Sequence, residues 1–392
     1  VTISKELHRL ANEMTGSGLP LQNIVVDNDA IKELPMLLSR NHWKHVLVVA
    51  DERTFHAAGN RVCEHLKDEG VHYQTTFLTE NVHGQVIADE PTLIELFQCV
   101  TNETDVIIAV GSGTIHDIVR FVSYKMDRPF ISVPTAASVD GFTSKGAPLI
   151  LRGMKQTVQT RAPIAVLADL DILSQAPAQM TAAGFGDILG KYTSLLDWKI
   201  SHLIGGEPYH EKAAVLTKQS LDACVNHVDA IASHDSTGIK ILMDALIESG
   251  LVMLILNHSR PASGGEHHLS HYWEMDLLKH NQRQLLHGAK VGVATTLISD
   301  HYKQMRQQVT PDHFPNDDKG KRLQQHWQKI AGFIDELPDR DRLQKWLTIV
   351  GGPSTTEELG IDHGHVQNSL QEAHHLRDRC TGLFLFNEGY FG

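Results

Sequence analysis

Up to about residue 172 the chain alternates two patterns: short runs of β-branched residues, and stretches in which apolar residues recur every three or four positions. His45–Ala50 reads as a buried strand ending at Asp51, and Tyr73–Leu78, Asp105–Val110, Pro129–Val133 and Ile164–Ala168 read as four more. Gly59–Glu69 and Pro91–Val100 carry helical periodicity between them. Parallel strands need a crossover long enough to hold a helix, so this alternation predicts βαβ units and a doubly wound α/β domain over residues 1–172.

From Leu173 onward strand-like runs give way to long helical patterns: Gly186–Leu203, Glu211–Ile231, Ile239–Asn257, Lys319–Ile334, Arg340–Ile349 and Val366–Cys380. An all-helical second domain over residues 173–392 is expected. Pro311, Pro315, Asn316 and Asp317-Asp318-Lys319-Gly320 predict an exposed loop within it. There is no internal repeat and no low-complexity tract.

Composition narrows the partners. A net charge of −12 over 392 residues disfavours nucleic acid and anionic membrane, both of which reward basic patches. The opening residues Val1–Leu10 carry no apolar run of the signal-peptide kind. The most apolar run, Leu251–Leu256, is far too short to cross a bilayer. Cys63, Cys99, Cys224 and Cys380 are scattered, which gives neither a disulfide framework nor a thiolate zinc knuckle. A soluble cytoplasmic protein acting on a small molecule is expected, as a homo-oligomer with a dimer favoured.

Candidate chemistry gathers in four places. Gly111-Ser112-Gly113-Thr114-Ile115 follows the third strand, where paired glycines and a helix N-terminus suit a phosphate and make the first domain Rossmann-like; an ordinary turn is the plain alternative. Pro134–Ser144, dense in small hydroxyl residues around Asp140, follows the fourth strand on the edge where ligands bind in such sheets. Gly184-Phe185-Gly186-Asp187 puts a carboxylate in what reads as the first turn of a helix, stabilised there by the helix dipole. Arg260–His271 breaks a buried helix and starts another near Ser263, with His267 and His271 four residues apart on one face. His287 then opens a segment whose Gly288 and Gly292 allow close helix packing, and a helix N-terminus there should keep the imidazole neutral, as a metal ligand must be. With 25 histidines some pairs are accidental, and His268, His280, His301 and His326 read as surface residues. One Asp with two His suits zinc or another divalent ion with a position left open.

The order Gly111-Ser112-Gly113, Thr135-Ala-Ala-Ser-Val-Asp140-Gly, Gly184-Phe-Gly-Asp187, Arg260-Pro-Ala-Ser-Gly-Gly-Glu-His267-His-Leu-Ser-His271 and His287-Gly resembles the glycerol dehydrogenase and dehydroquinate synthase-like superfamily. Its second and fourth segments narrow the resemblance to the sn-glycerol-1-phosphate dehydrogenase branch. The resemblance implies a Rossmann-like domain followed by a helical one. It also implies NAD(H) or NADP(H), one Zn²⁺ or Ni²⁺ ion, and reversible reduction of dihydroxyacetone phosphate to sn-glycerol 1-phosphate, a step in phospholipid metabolism.

Carried over, it assigns the metal to Asp187, His267 and His287, and the dinucleotide to Gly111, Ser112, Gly113, Thr114, Ile115, Thr135, Ala136, Ala137, Ser138 and Ser144. Asp140, Asp187 and His271 contact substrate, with His271 joining the metal ligands as a catalytic group. Ser112 stands where much of the superfamily has a third glycine. Asp51 is positioned by its strand end to hydrogen-bond the adenosine ribose, which would disfavour a 2′-phosphate. Lys145, Arg152, Lys191 and Arg260 are unranked candidates for the substrate phosphate. The rival expectations are a glycerol dehydrogenase acting on unphosphorylated substrate, a lyase using nicotinamide transiently, and a non-redox metalloprotein or hydrolase.

Overall fold

The computed structural model describes residues 4–310 and 314–391; Pro311, expected in an exposed loop, lies outside these. Six parallel strands form one sheet in the order β1-β8-β5-β4-β2-β3. They span Asn23–Asp27 (β1), His45–Ala50 (β2), His72–Phe77 (β3), Val106–Gly111 (β4), Phe130–Pro134 (β5) and Ala165–Asp169 (β8). Every residue of β4, β5 and β8 is buried, as expected for parallel strands covered by helices on both faces. The chain runs outward from β2 to β3, then returns past β2 to β4 and continues the other way, so the strand order reverses between β2 and β4. A crevice at the carboxyl ends of the strands is the consequence.

Two parts of the sheet region were not foreseen. Strand β1 pairs with β8 along its whole length. An antiparallel hairpin, β6 (Gly146–Leu151) with β7 (Met154–Gln159), follows the loop after β5. Its two turn residues, Arg152 and Gly153, have φ of 55° and 73°, the pair of positive values that lets a two-residue turn match strand twist.

Among the described residues no strand follows Asp169. The long apolar helix Ser236–Leu256 sits in a core that also takes Leu7, Leu10 and Ala11 of the first helix, Ile24 and Val26 of β1, and the helix Ala178–Leu189. A second core gathers around the helices Lys191–Leu203, Gly265–Lys279, His287–Gln308 and Asp318–Asp335.

Several boundaries differ from expectation. Gly186–Leu203 is not one helix: a helix ends at Leu189 and another begins at Lys191. Glu211–Ile231 breaks at His227. The last expected helix runs from His363 to Glu372, so residues 377–381 are not helical. Asp317 caps a helix that already contains Asp318, Lys319 and buried Gly320, so the expected exposed loop is shorter. Among the described residues no helix is long and apolar enough to cross a membrane, and the four cysteines are free.

Candidate active site

A cleft of about 340 Å³ opens at the carboxyl edge of the sheet and runs between the loops after β4 and β5, the β6–β7 hairpin and the later helices. Ser112, Gly113, Thr114, Ser138, Asp140 and Ser144 line it on the sheet side, and His267, His271 and His287 on the helical side. Ile115, Ala136 and Ala137 are buried apolar residues supporting the loops, and Thr135 donates its N–H to Gly111 O at 3.0 Å. Gly111 itself is the last residue of β4. Asp51 is off the cleft lining: its carboxylate accepts from the Thr54 N–H at 2.7 Å and caps the next turn.

The helix Gly113–Lys125 starts directly after Ser112, whose side chain makes no capping bond, so the first N–H groups of the helix are left for a ligand. His116 fixes the turn from behind. Its Nδ1 lies 2.9 Å from Ser112 O and must donate there, while Nε2 accepts from the Ser132 hydroxyl at 2.7 Å. Burial holds this imidazole neutral, its pKa lowered to about 3.

Three donors converge on the opposite wall. Asp187 Oδ1 lies 3.8 Å from His267 Nε2 and 3.9 Å from His287 Nε2, and all three atoms fall within 4.8 Å of one another. Asp187 reaches this point from the last turn of Ala178–Leu189, not from the expected first turn of a helix, so the helix dipole opposes its charge instead of stabilising it. What holds the side chain is the Asp140 N–H, donated to Oδ2 at 2.9 Å, and Lys191, 3.8 Å from Oδ1. Burial, aided by the Asp140 charge, pushes the carboxyl up to about 7. His287 does open its helix, and its imidazole is held neutral chiefly by burial, then by His267.

His267 Nδ1 bonds Glu266 Oε1 at 2.7 Å, which directs Nε2 toward Asp187. Such a carboxylate–imidazole pair fixes the tautomer a metal ligand needs. The fully buried Asp187 Oδ1 has no hydrogen-bond partner among the described residues. An orphaned carboxylate oxygen facing two neutral imidazoles fits a divalent cation.

The helices carrying these donors meet at glycines. A Cβ on Gly288 would lie 1.8 Å from Ala183 O, and one on Gly186 2.3 Å from Gly288 O. Backbone-to-backbone contact is what sets His287 beside Asp187.

His271 shares the wall, its ring centroid 6.1 Å from those of His267 and His287. It groups with Glu274 and His287 instead of joining the tight set. His268 points elsewhere: it is fully buried, not a surface residue, because its helix is enclosed on that side too. Of the phosphate candidates, only Lys145 lines the cleft; Arg260 pairs with Glu207, and Lys191 is buried on Asp140 at 2.7 Å.

Four charged residues are among the cleft residues that were missed. Glu274 receives Lys155 at 2.7 Å and Lys290 at 3.0 Å, and Arg377 reaches in from beyond the last long helices. Burial alone would raise the Glu274 carboxyl, but the two lysines outweigh it and hold it well below its usual range. Glu274 and Lys290 carried a signal, three residues beyond His271 and His287 on the same helix faces. Lys155 and Arg377 carried none, since the hairpin and the true end of the last helix were not foreseen.

A family described as iron-containing alcohol dehydrogenase matches residues 25–177. A protein of Geobacillus thermodenitrificans named as an NAD(P)+ glycerol-1-phosphate dehydrogenase is 48% identical over 376 residues, 94% of this chain and 93% of its own. One of the same name from Bacillus velezensis is 48% identical over 376 residues, covering 95% and 92%. The chain belongs to the NAD(P)+ glycerol-1-phosphate dehydrogenase family of oxidoreductases. The solved structure of "a probable glycerol dehydrogenase from Sinorhizobium meliloti 1021" shares the fold, with a TM-score of 0.66 and 17% identity over 90% of this chain and 89% of its own.

Proposed function

We propose that this protein reduces dihydroxyacetone phosphate to sn-glycerol 1-phosphate, reversibly, with NADH or NADPH and one divalent ion, Zn²⁺ or Ni²⁺. The observation that carries this reading is the convergence of Asp187, His267 and His287 across one cleft from the Ser112–Thr114 turn. In this reading Asp187, His267 and His287 hold the ion, whose Lewis acidity at a ketone oxygen would favour hydride addition from a nicotinamide. Gly111 to Ile115 and Thr135 to Ser138 hold the dinucleotide, with the free N–H groups after Ser112 on its pyrophosphate and Ser144 nearby.

Asp140 and His271 orient substrate. Asp140 Oδ2 is fixed by Lys191 at 2.7 Å and Ser249 at 2.8 Å, leaving its other oxygen to accept from a hydroxyl. His271 Nδ1 lies 3.2 Å from an Arg377 nitrogen, and a guanidinium only donates, so the His271 proton sits on Nε2 and this imidazole offers a donor. Asp51 retains its proposed part at the adenosine ribose, with the capping bond to Thr54 setting its orientation. The division at residues 172 and 173 into a dinucleotide-binding and a metal- and substrate-binding part belongs to the same reading, as does a homo-oligomer, a dimer by preference, working in the cytoplasm, where free cysteines persist.

The test is spectrophotometric. Nicotinamide oxidation is followed with dihydroxyacetone phosphate and with dihydroxyacetone, before and after chelation and metal return. Preference for the unphosphorylated ketone overturns the substrate assignment, and full activity after chelation overturns the metal.

A further inference from the structure

The cations around the cleft divide into those with a carboxylate partner and those without. Lys155 and Lys290 share Glu274, Lys191 sits on Asp140, and Arg120 on Asp117. Arg260 and Arg379 flank Glu207. Arg377, half-buried and lining the cleft, forms no ion pair among the described residues. Its guanidinium donates instead to Ser263 Oγ at 3.1 Å and His271 Nδ1 at 3.2 Å, both neutral groups. Arg379 donates to the Ser263 carbonyl and so pins the same residue.

This leaves a set of spare donors in one place. A guanidinium has five N–H donors and two are used here. The Ser263 hydroxyl accepts from Arg377 and keeps its own hydrogen to give. His271, accepting at Nδ1, holds the guanidinium in place, with its own hydrogen on Nε2 at the far side of the ring. The Arg377 charge has the Glu266 carboxylate within electrostatic reach but no carboxylate in contact among the described residues, and its planar fork matches phosphate oxygens. Lys145, the other cleft-lining cation without a carboxylate among the described residues, belongs to the loop that carries Ser144, on the dinucleotide side.

We propose that Arg377, with Ser263 and His271, forms the subsite for the phosphate monoester of the substrate, making the segment after the last long helices the determinant of phosphorylated over unphosphorylated ketones. Arg377 bonds His271, whose ring lies 6.1 Å from those of His267 and His287, so the subsite adjoins the proposed metal ligands. The inference rests on the proposed reading of the site for the identity of the substrate, but not for the binding of phosphate.

Two measurements on the full chain separate these. Inorganic phosphate is titrated calorimetrically into wild type, Arg377→Met and Arg377→Lys, and the ratio of kcat/KM for dihydroxyacetone phosphate over dihydroxyacetone is taken for each. Loss of the fork should weaken phosphate binding roughly 10- to 100-fold and lower the ratio by about 100-fold in Arg377→Met, with Arg377→Lys in between because charge without the planar fork remains. Equal phosphate affinity in wild type and Arg377→Met, or an unchanged ratio, overturns the proposal. So does a fall in NADH affinity with the ratio preserved, which would place the dinucleotide pyrophosphate on Arg377. If wild type does not turn over the phosphorylated ketone, the proposed function fails and the phosphate titration alone judges the subsite. If Arg377→Met melts far below wild type, Arg377→Lys and Ser263→Ala carry the comparison, and no loss of phosphate affinity in either overturns the proposal.

Discussion

Replacing Gly288 by alanine tests whether helix crossing builds the proposed metal site. A Cβ there would stand 1.8 Å from Ala183 O and 2.6 Å from its carbonyl carbon, both backbone atoms that cannot rotate away. Ordinary contact is about 3.5 Å, so the helices Ala178–Leu189 and His287–Gln308 must part by about 1.5 Å at this point. Overpacking of this kind costs about 1–3 kcal/mol, a drop of several degrees in Tm. The displacement falls on the residue next to His287, whose Nε2 is 3.9 Å from Asp187 Oδ1. Metal–ligand distances tolerate only about 0.2 Å, so Zn²⁺ or Ni²⁺ affinity should fall at least about 100-fold. Two other glycines calibrate the result. Gly292→Ala meets the movable Leu347 side chain at 2.8 Å and Gly186 Cα at 3.1 Å and should be milder, while Gly332→Ala meets nothing within 4 Å and should stabilise its helix by about 0.5–1 kcal/mol. Calorimetric melting and metal titration of the three variants read the order directly. A Gly288→Ala protein with wild-type Tm and wild-type metal affinity would refute the reasoning.

His287→Ala should lose both bound metal and turnover, and metal analysis showing full occupancy would remove His287 from the ligand set. Glu266→Gln should lower metal affinity about 10- to 100-fold by weakening the bond that orients His267; an unchanged competition titration against a chelator would show that the contact to Nδ1 is incidental. His116 is neutral in the fold, with its pKa lowered to about 3 by burial from an ordinary 6.5. The unfolded chain therefore takes up a proton that the folded chain refuses. Its contribution to stability is complete above pH 6.5 and is lost as pH falls toward 3, at about 1.4 kcal/mol per pH unit. Unfolding of His116→Gln followed from pH 7 to pH 4 should show a shallower acid limb than wild type, and parallel limbs would exclude this role.

The central strands of the sheet were legible because parallel strands buried on both faces must be continuously apolar, as Val106–Val110 is. Strand β1 was equally apolar at Ile24–Val26 but short and flanked by polar residues, which leaves only its pairing with β8 to identify it. The hairpin was hidden for a different reason: its strands alternate weakly, β7 being largely exposed, and the decisive feature is backbone φ at Arg152 and Gly153. The ligand candidates were legible from spacing and glycines, yet the setting of Asp187 was not. No local signal separates a single helix from Gly186 to Leu203 from two helices meeting at Gly190, and the choice reverses which end of a dipole faces the carboxylate.

The order of distances around Asp187 explains how two carboxylates and a lysine can be buried together without closing the site to a further cation. Lys191 lies 2.7 Å from Asp140 Oδ2 but 3.8 Å from Asp187 Oδ1, so its charge is chiefly spent on Asp140, which Ser249 also steadies. Burial draws the Lys191 pKa down, yet the Asp140 and Asp187 charges outweigh it and leave it raised, so the ammonium stays charged. Among the described residues the one hydrogen bond to the Asp187 carboxylate is then at Oδ2, from the backbone N–H of Asp140. Its Oδ1 is left toward the two imidazoles, and the residue that fixes it there is the same one proposed to orient substrate. A change of the Asp140 side chain therefore frees Lys191 and removes the substrate contact, while the backbone N–H goes on holding Asp187.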